Sequence, residues 1–397
     1  MRRVAPQSRW FLPLMAASGV TMSLTAPLEV LFVREFWHSG AYLGIFMLSS
    51  AVGVIVIDVF GTRFVPGLDA RVALTAGLCL FGVACIAMGL AHDGAMLMSS
   101  RVLQGFGGGV VLGAGLQAAV RVNVVTGADP SAPSRDVARS LGRFNAAYLF
   151  GGAIGSPGGL LVAGIIDGRA GYQVAFVTTG VLAVLVGGAL AAALPSLAAP
   201  SGIAPRRIGL PHFDKTPGGG AALVLAMSGD FLRGGVLFTA LPLAGAAREY
   251  SIITITLAIA LMSGVEIAVL SVAYWVIRGT GVIAMLIASF ALGMVCATLL
   301  ALMPGATTYL VVSALFGVSL AGATACLPVL VVSQVGESSA GLAKFRISAG
   351  VGLLAGSVGC AVLGAQIGIT ALFTLIAVVL LGSAHLAHFV GRRIAIT

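Results

Sequence analysis

The sequence predicts an all-α integral membrane protein with twelve transmembrane helices in two pseudo-symmetric six-helix bundles. The first observation is composition, since 59% of the 397 residues are hydrophobic and only 9% are charged, with a mean hydropathy of +1.08. A soluble domain of this size must keep a substantial exterior in water and cannot bury that much apolar surface. The other two observations are twelve apolar runs and a repeat between the halves of the chain.

The apolar runs are each long enough to cross a bilayer, which takes about 20 residues of helix. The first six lie near residues 10–33, 41–61, 71–92, 95–120, 143–166 and 172–195. The second six lie near residues 219–246, 252–277, 280–303, 306–333, 346–367 and 370–391. Between the sets, residues 199–219 are rich in proline and basic residues. They predict a cytoplasmic linker between an N-terminal bundle, 1–198, and a C-terminal bundle, 220–397.

Basic residues predict the orientation. With the N-terminus inside, 17 of the 22 Lys and Arg residues fall in inner segments, 3 in outer loops and 2 within spans. This bias predicts a multi-pass protein of the cell (inner or plasma) membrane with both termini cytoplasmic. The short basic N-terminus precedes an apolar run of full span length, which predicts a first helix rather than a removed signal peptide.

Two registers of similarity relate the halves. One lies at an offset of 214 residues, where Thr25-Ala26 and Arg34-Glu35 match Thr239-Ala240 and Arg248-Glu249. The other lies at an offset of 201, where Leu141 to Phe144 match Leu342 to Phe345. Internal repeats of this kind predict a binding site between the halves, near the middle of the membrane.

Composition also excludes several classes of function. The net charge of +9 resides in short loops between apolar runs, which argues against nucleic acid as a partner. All five cysteines fall inside apolar runs without paired spacing, so neither a metal site nor a disulfide framework is predicted. No nucleotide-binding loop and no nucleophile with a base is recognisable, and we expect no enzyme activity and no cofactor.

Arg101 lies in the fourth apolar run, ahead of the glycine-rich residues 105–115. Placing an arginine within a membrane costs about 3 kcal/mol, so we expect it to face protein or a water-filled cavity. The glycines give the helix a face almost without side chains, which a neighbouring backbone or a substrate can approach closely. The alternative is a buried arginine that is satisfied by backbone carbonyls and only holds helices together.

The pattern Arg101-x-x-Gln104-Gly105-x-Gly107 resembles motif B of the major facilitator superfamily, on its fourth helix. The resemblance implies the twelve-span major facilitator fold, transport by alternating access and a monomer. Asp58, Gly61 and Arg63, in the loop predicted after the second helix, are similar to the gating motif A. Thr62 stands where that motif usually has a basic residue, and a loop that Asp58 merely caps is the alternative.

The fifth run contains Gly151, Gly155, Pro157 and Gly159, and resembles motif C, which in this superfamily accompanies proton-exchanging exporters. Pro157 frees one backbone carbonyl and bends the helix, and we expect the glycines to pack against a helix of the other half. The spacing is displaced from the usual motif, and glycine packing without an export role is the alternative.

Ionisable residues within spans are the remaining candidates. Asp230 and Arg233 are three residues apart and predict a neutral pair on one helix face, in the cavity wall. We rank Asp230 first as a proton-coupling group, Glu266 second and Glu29 third. The alternatives are a static ion pair for Asp230 and Arg233, and a solvated position near the outer mouth for Glu29.

The leading hypothesis is therefore a proton-coupled exporter of small, often amphipathic organic compounds, resembling the twelve-span drug:proton antiporters. Its expected partners are the small-molecule substrate, protons and membrane lipids. A proton-coupled importer of a small metabolite, or a flippase for lipids or lipid conjugates, are the alternatives on the same fold.

Overall fold

The computed structural model describes residues 10–37, 39–64, 68–125, 133–166, 168–197, 219–302, 305–335 and 339–394. Within these ranges every regular element is a helix. Lipid offers no hydrogen bonds to the backbone, so a spanning segment must satisfy its own N–H and C=O groups as a helix does. The predicted linker, apart from Gly219, lies outside the described residues.

Six helices form the first set. They are α1 (Phe11–Glu35), α2 (Gly40–Phe64), α3 (Ala70–Gly89), α4 (Gly94–Val125), α5 (Pro133–Ile165) and α6 (Arg169–Ala193). The first of them is interrupted at Thr25, between the α-helical stretches Phe11–Leu24 and Ala26–Phe32. Pro27 follows this step and has no N–H to continue the hydrogen-bond ladder.

The second set has four helices with separate bounds and one long helical stretch. The four are α7 (Gly219–Ala247), α8 (Ile252–Thr280), α9 (Val282–Leu302) and α10 (Ala306–Val335). The long stretch, Ser339–Ile394, is broken at Gly368, where φ is 83° and ψ is 165°. This left-handed residue separates α11 (339–367) from α12 (369–394), because only glycine adopts such a φ without strain. The described helices therefore confirm the predicted twelve.

Contacts between Cα atoms divide the chain into two compact units. The first unit comprises Met1–Phe32 and Leu48–Ile208, and the second comprises Val33–Met47 and Gly209–Thr397. The first turns of α2 thus group with the second unit, whereas the sequence-based bundle boundaries place them in the first.

Glycines bring α5 into backbone contact with α1 in the first unit. A Cβ atom at each of three glycines would lie 1.7–2.2 Å from a carbonyl oxygen of α1. The pairs are Gly151 with Ala16, Gly155 with Val20 and Gly159 with Leu24. Because the glycines and the carbonyls both recur every four residues, one face of α5 follows one face of α1. The expectation that these glycines contact the other half was wrong: their neighbour is α1 of the same unit.

The second unit repeats this packing between α11 and α7. A Cβ atom at Gly352 would lie 2.1 Å from the Met227 oxygen, and one at Gly356 would lie 2.5 Å from the Phe231 oxygen. Both glycines lie 201 residues after their counterparts in α5, which is the predicted second register. Met227 and Phe231, whose carbonyl oxygens they approach, lie 211 residues after Ala16 and Val20 of α1. This offset is three fewer than the 214 of the first register. The offset thus changes from 211 to 214 between Phe231 and Thr239, where α7 contains the π-helical segment Leu232–Ala240.

Candidate functional site

Arg101 of α4 forms a buried ion pair with Glu29 of α1. The two side chains are 10% and 7% exposed, and one guanidinium nitrogen of Arg101 contacts Glu29 Oε1. The same nitrogen donates a hydrogen bond to Gln104 Oε1, one turn further along α4. Arg101 therefore faces protein, and the Glu29 carboxylate balances its charge.

Gln104 extends this network to two further residues. Its Nε2 donates to Thr25 Oγ1 at 3.1 Å and to Cys85 Sγ of α3 at 3.4 Å. Thr25 Oγ1 in turn donates to Glu29 Oε1 at 3.1 Å. We call these side chains the first-unit cluster: Thr25, Glu29, Cys85, Arg101 and Gln104. It contains one carboxylate and one guanidinium, so its charges balance.

The glycine face of α4 explains how this network reaches three helices. A Cβ atom at Gly105 would lie 2.0 Å from the Ser50 carbonyl oxygen of α2. One at Gly107 would lie 2.5 Å from the backbone nitrogen of Phe81 in α3. Two neighbours thus pack directly on the α4 backbone, and Arg101 and Gln104, in the turn before Gly105, meet residues of α1 and α3.

A second charged network joins α7, α8 and α10 in the second unit. Arg233 of α7 pairs with Glu266 of α8, and the side chains are 11% and 3% exposed. A guanidinium nitrogen of Arg233 also donates to Thr324 Oγ1 of α10 at 3.2 Å. Thr324 Oγ1 donates to Glu266 Oε1 at 3.3 Å, which closes a triangle of polar contacts.

Asp230 is the fourth member of this network, one turn before Arg233. Among the described residues it forms no ion pair, and Arg233 pairs with Glu266 instead of with the predicted partner. The reason is local: Arg233 lies in the π-helical segment Leu232–Ala240, so the three-residue spacing of an α-helix does not set its direction. Asp230 still interacts electrostatically with both Arg233 and Glu266.

We call Asp230, Arg233, Glu266 and Thr324 the second-unit cluster. It holds two carboxylates for one guanidinium. Glu266 Oε1 accepts from Arg233 and Thr324, whereas Glu266 Oε2 is buried without a hydrogen-bond partner among the described residues. When both carboxylates are ionised, the cluster therefore carries one negative charge in excess.

Two other predicted motifs contribute no described side chain to either cluster. The backbone of Asp58, Gly61 and Arg63 is helical, because α2 continues to Phe64, so the expected loop at this position was wrong. The side chains of these three residues lie outside the described part of the chain. Pro157 lies inside α5, whose neighbouring glycines serve the contact with α1.

Sequence reasoning missed the roles of Cys85 and Thr324, and used Thr25 only as a marker of the repeat. Hydroxyl residues within spans usually bond to their own backbone, as Thr179 Oγ1 does to the Ala175 oxygen at 2.7 Å. No local signal therefore distinguishes Thr324 from other threonines. In the described ranges no three His, Cys, Asp or Glu side chains converge on a position that could hold a metal ion.

Three solved structures of transporters share this fold. The nucleoside transporter NupG aligns with 97% of this chain and 99% of its own, at 12% identity and a TM-score of 0.70. A bacterial homolog of the human lysosomal transporter Spinster, inward-facing and unoccupied, covers 98% of this chain and 97% of its own, at 12% identity and a TM-score of 0.70. The human organic anion transporter MFSD10 (TETRAN) covers 96% of this chain at 14% identity and a TM-score of 0.65.

Sequence relatives match over a shorter length. The quinolone resistance protein NorA of Staphylococcus aureus (strain MRSA252) is 27% identical over 140 residues, which are 34% of this chain and 33% of NorA. The chain thus aligns with about a third of this relative. The profile of the Major Facilitator Superfamily, in contrast, matches residues 11–359. With this match over nearly the whole chain, and with twelve helices in the described residues, the chain belongs to the Major Facilitator Superfamily.

Proposed function

We propose that this transporter exports small, often amphipathic organic compounds in exchange for protons, by alternating access. The observation that carries the proposal is the second-unit cluster, in which Asp230 and Glu266 share the single cation Arg233. A charge without a counter-ion is unfavourable within a membrane span. A proton on either carboxylate would make this cluster neutral.

Protonation would change which surroundings the cluster tolerates. In its ionised form it carries one excess negative charge and is stabilised by water. In its protonated form it is neutral and tolerates a dry environment, because desolvating an unpaired charge costs several kcal/mol. A carrier that exposes the cluster to water on one side at a time would thereby link proton movement to alternating access.

Asp230 is our first candidate for the proton-carrying group and Glu266 the second. Arg233 is held by Glu266 and Thr324, which leaves Asp230 as the carboxylate without an ion pair among the described residues. Glu266 comes second because only its Oε2 is free to take a proton without losing a hydrogen bond. Glu29 comes third, since Arg101 balances its charge in full.

The similarity to NorA supports the direction and the class of cargo. That relative is a quinolone resistance protein, which favours export of organic compounds that combine apolar and polar parts. The basic inner segments support a cytoplasmic position for both termini. We propose further that the protein acts as a monomer in the cell membrane.

The test uses inside-out membrane vesicles with an imposed proton gradient that a fluorescent reporter follows. Adding a quinolone or an amphipathic dye should dissipate the gradient and load the vesicles. Asp230→Asn should abolish both effects, and Glu266→Gln should weaken them. The matched control is Glu249→Gln, at an exposed acid of the same unit, which should behave as wild type.

Two outcomes would end the proposal in its present form. If no added compound dissipates the gradient, or if Asp230→Asn exchanges protons normally, coupling through this cluster is wrong. Accumulation of the cargo by intact cells would indicate an importer, and movement of lipid conjugates between leaflets would indicate a flippase.

A further inference from the structure

A cleft of about 690 Å³ opens in the second unit where four helix ends come together. Its walls are the end of α8, the beginning of α9, the end of α10 and the end of α12. The lining residues that matter here are Thr280, Ile283, Val329, Ser333, His388 and Arg392. The cleft lies apart from the second-unit cluster, since none of the four cluster residues lines it.

Because the helices that form the cleft are long and apolar enough to cross a bilayer, their ends are expected at the boundary between lipid and water. Around the cleft α9 begins at Val282, whereas α8 ends at Thr280, α10 at Val335 and α12 at Ile394. From this boundary the wall continues along Ile283 and Val329, which belong to the spans of α9 and α10. The inner wall is therefore suited to a hydrocarbon chain, and the rim lies at the depth of lipid headgroups.

Two cationic or titratable side chains stand at this rim. His388 and Arg392 are four residues apart on α12, so both lie on one helix face, and both are exposed. No acidic residue lines the cleft. The hydroxyls of Thr280 and Ser333 donate to their own helices, to the Val276 and Leu330 oxygens at 2.9 and 2.7 Å. Recognition of an anion would therefore depend on Arg392 and His388.

We propose that this cleft binds an anionic phospholipid, with an acyl chain along α9 and α10 and the phosphate at Arg392 and His388. Basic pockets between transmembrane helices recognise anionic headgroups in this way. A soluble anion would not contact the apolar wall. The positive group of a zwitterionic lipid would find no acidic residue at the rim to pair with. The beginning of α9 adds the positive end of its helix dipole to the same rim.

Close packing maintains the shape of the cleft on the α12 side. A Cβ atom at Gly391 would lie 2.6 Å from Ile283 Cγ2 of α9. The end of α12 therefore approaches α9 closely at this point, and Arg392 follows at the edge of the contact. Val329, in contrast, is 50% exposed in the cleft wall and leaves room for a larger side chain.

The proposal can be tested with the full chain purified in detergent micelles that contain phosphatidylglycerol and phosphatidylcholine in equal amounts. Native mass spectrometry then counts the phospholipids that stay bound. Wild type should retain phosphatidylglycerol in preference to phosphatidylcholine. Arg392→Gln should reduce that retention about fivefold, the effect of one basic residue near a membrane surface. Arg278→Gln, at an exposed arginine of α8 that does not line the cleft, is the matched control and should retain wild-type binding.

A second variant tests the acyl-chain half of the site without altering charge. Val329→Trp should fill the cleft and lower phosphatidylglycerol retention, with thermal unfolding of the variant as a check on its fold. Equal retention of the two lipids by wild type would overturn the proposal. Equal losses for Arg392→Gln and Arg278→Gln would also overturn it, because they would indicate general surface attraction. Full retention by Val329→Trp would show that no chain occupies the cleft.

Discussion

The first-unit cluster and the second-unit cluster differ in charge balance although the units share their helix packing. In the first, Arg101 has one carboxylate partner, Glu29. In the second, Arg233 has Glu266 as its partner and Asp230 as an additional neighbouring charge. A balanced pair can remain ionised throughout a transport cycle. An unbalanced cluster changes its net charge to zero when it gains a proton, so a test of the proposed proton coupling should begin with the second-unit cluster.

The clusters are not copies of each other within the repeat. A Cβ atom at Gly105 meets the Ser50 oxygen, and one at Gly317 meets the Met262 oxygen, at a constant offset of 212 residues. In this register Ser313 corresponds to Arg101, and its hydroxyl donates to the Tyr309 oxygen at 2.7 Å. The units have thus kept their glycine contacts while their charged residues diverged.

Replacing the arginine of each cluster should give the largest difference in stability between the two units. Arg233→Leu leaves the buried Glu266 and the partly buried Asp230 without a cation, whereas Arg101→Leu leaves only the buried Glu29. Breaking one buried pair costs about 3–5 kcal/mol of stability, so Arg101→Leu should fall in this range and Arg233→Leu at its upper end or beyond. Thermal unfolding of the purified variants in one detergent measures the order.

Removing both partners of a pair serves as the control for that order. Glu29→Leu combined with Arg101→Leu leaves no charge and should recover most of the stability lost in the single variant. Arg233→Leu combined with Glu266→Leu still leaves the partly buried Asp230 without a cation, so it should recover less. If the two double variants are equally stable, the imbalance between the clusters does not exist.

Substituting a glycine of the shared helix contacts should destabilise the protein less than removing an arginine, and by an equal amount in both units. Gly155→Ala and Gly356→Ala each place a Cβ atom within 2.5 Å of a carbonyl oxygen of the neighbouring helix. Overpacking of this kind costs about 1–3 kcal/mol. Gly188→Ala and Gly350→Ala are matched controls, because no atom lies within 4 Å of either added Cβ. Thermal unfolding of the four variants compares the units, and sensitivity in one unit alone would refute a common packing.

Much of the fold could be predicted from the sequence, because a bilayer requires each span to be apolar and helical. The break at Gly368 falls between the last two predicted runs, and the glycine contacts of α11 follow the predicted offset of 201. These features depend on local composition and on the internal repeat, which can both be recognised from a single sequence.

The composition of the charged clusters was harder to predict. The partner of Glu266 lies 33 residues away on another helix, and no pattern within α8 indicates it. The expected pair of Asp230 and Arg233 assumed α-helical periodicity, which fails in the π-helical segment. Similarly, the spacing of Gly151, Gly155 and Gly159 predicts a close helix contact but does not identify α1 as the neighbour.

The starts of α3 and α9 offer a last contrast between the units, in pH dependence. Asp69 precedes α3, and its carboxylate accepts hydrogen bonds from the Arg71 and Leu197 N–H groups, both at 2.9 Å, and from Ser196 Oγ at 2.5 Å. Gly281 precedes α9 and has no side chain to accept a bond. Partial burial opposes ionisation of Asp69, but the hydrogen bonds outweigh it and hold the pKa of Asp69 below its ordinary 3.8.

Because the pKa of Asp69 is lower in the folded chain, its ionised form stabilises the protein above the unfolded pKa, and that contribution is lost as the pH falls through the folded value. Because Asn caps a helix about as well as Asp, Asp69→Asn should lower the free energy of unfolding at neutral pH only by the contribution of the charge, less than about 1 kcal/mol. The difference from wild type should shrink when the pH falls below 3.8. Thermal unfolding of both proteins across this range measures it. A difference that stays constant with pH would mean that the ionised carboxylate contributes nothing beyond its shape, and the two helix starts would then differ only in geometry.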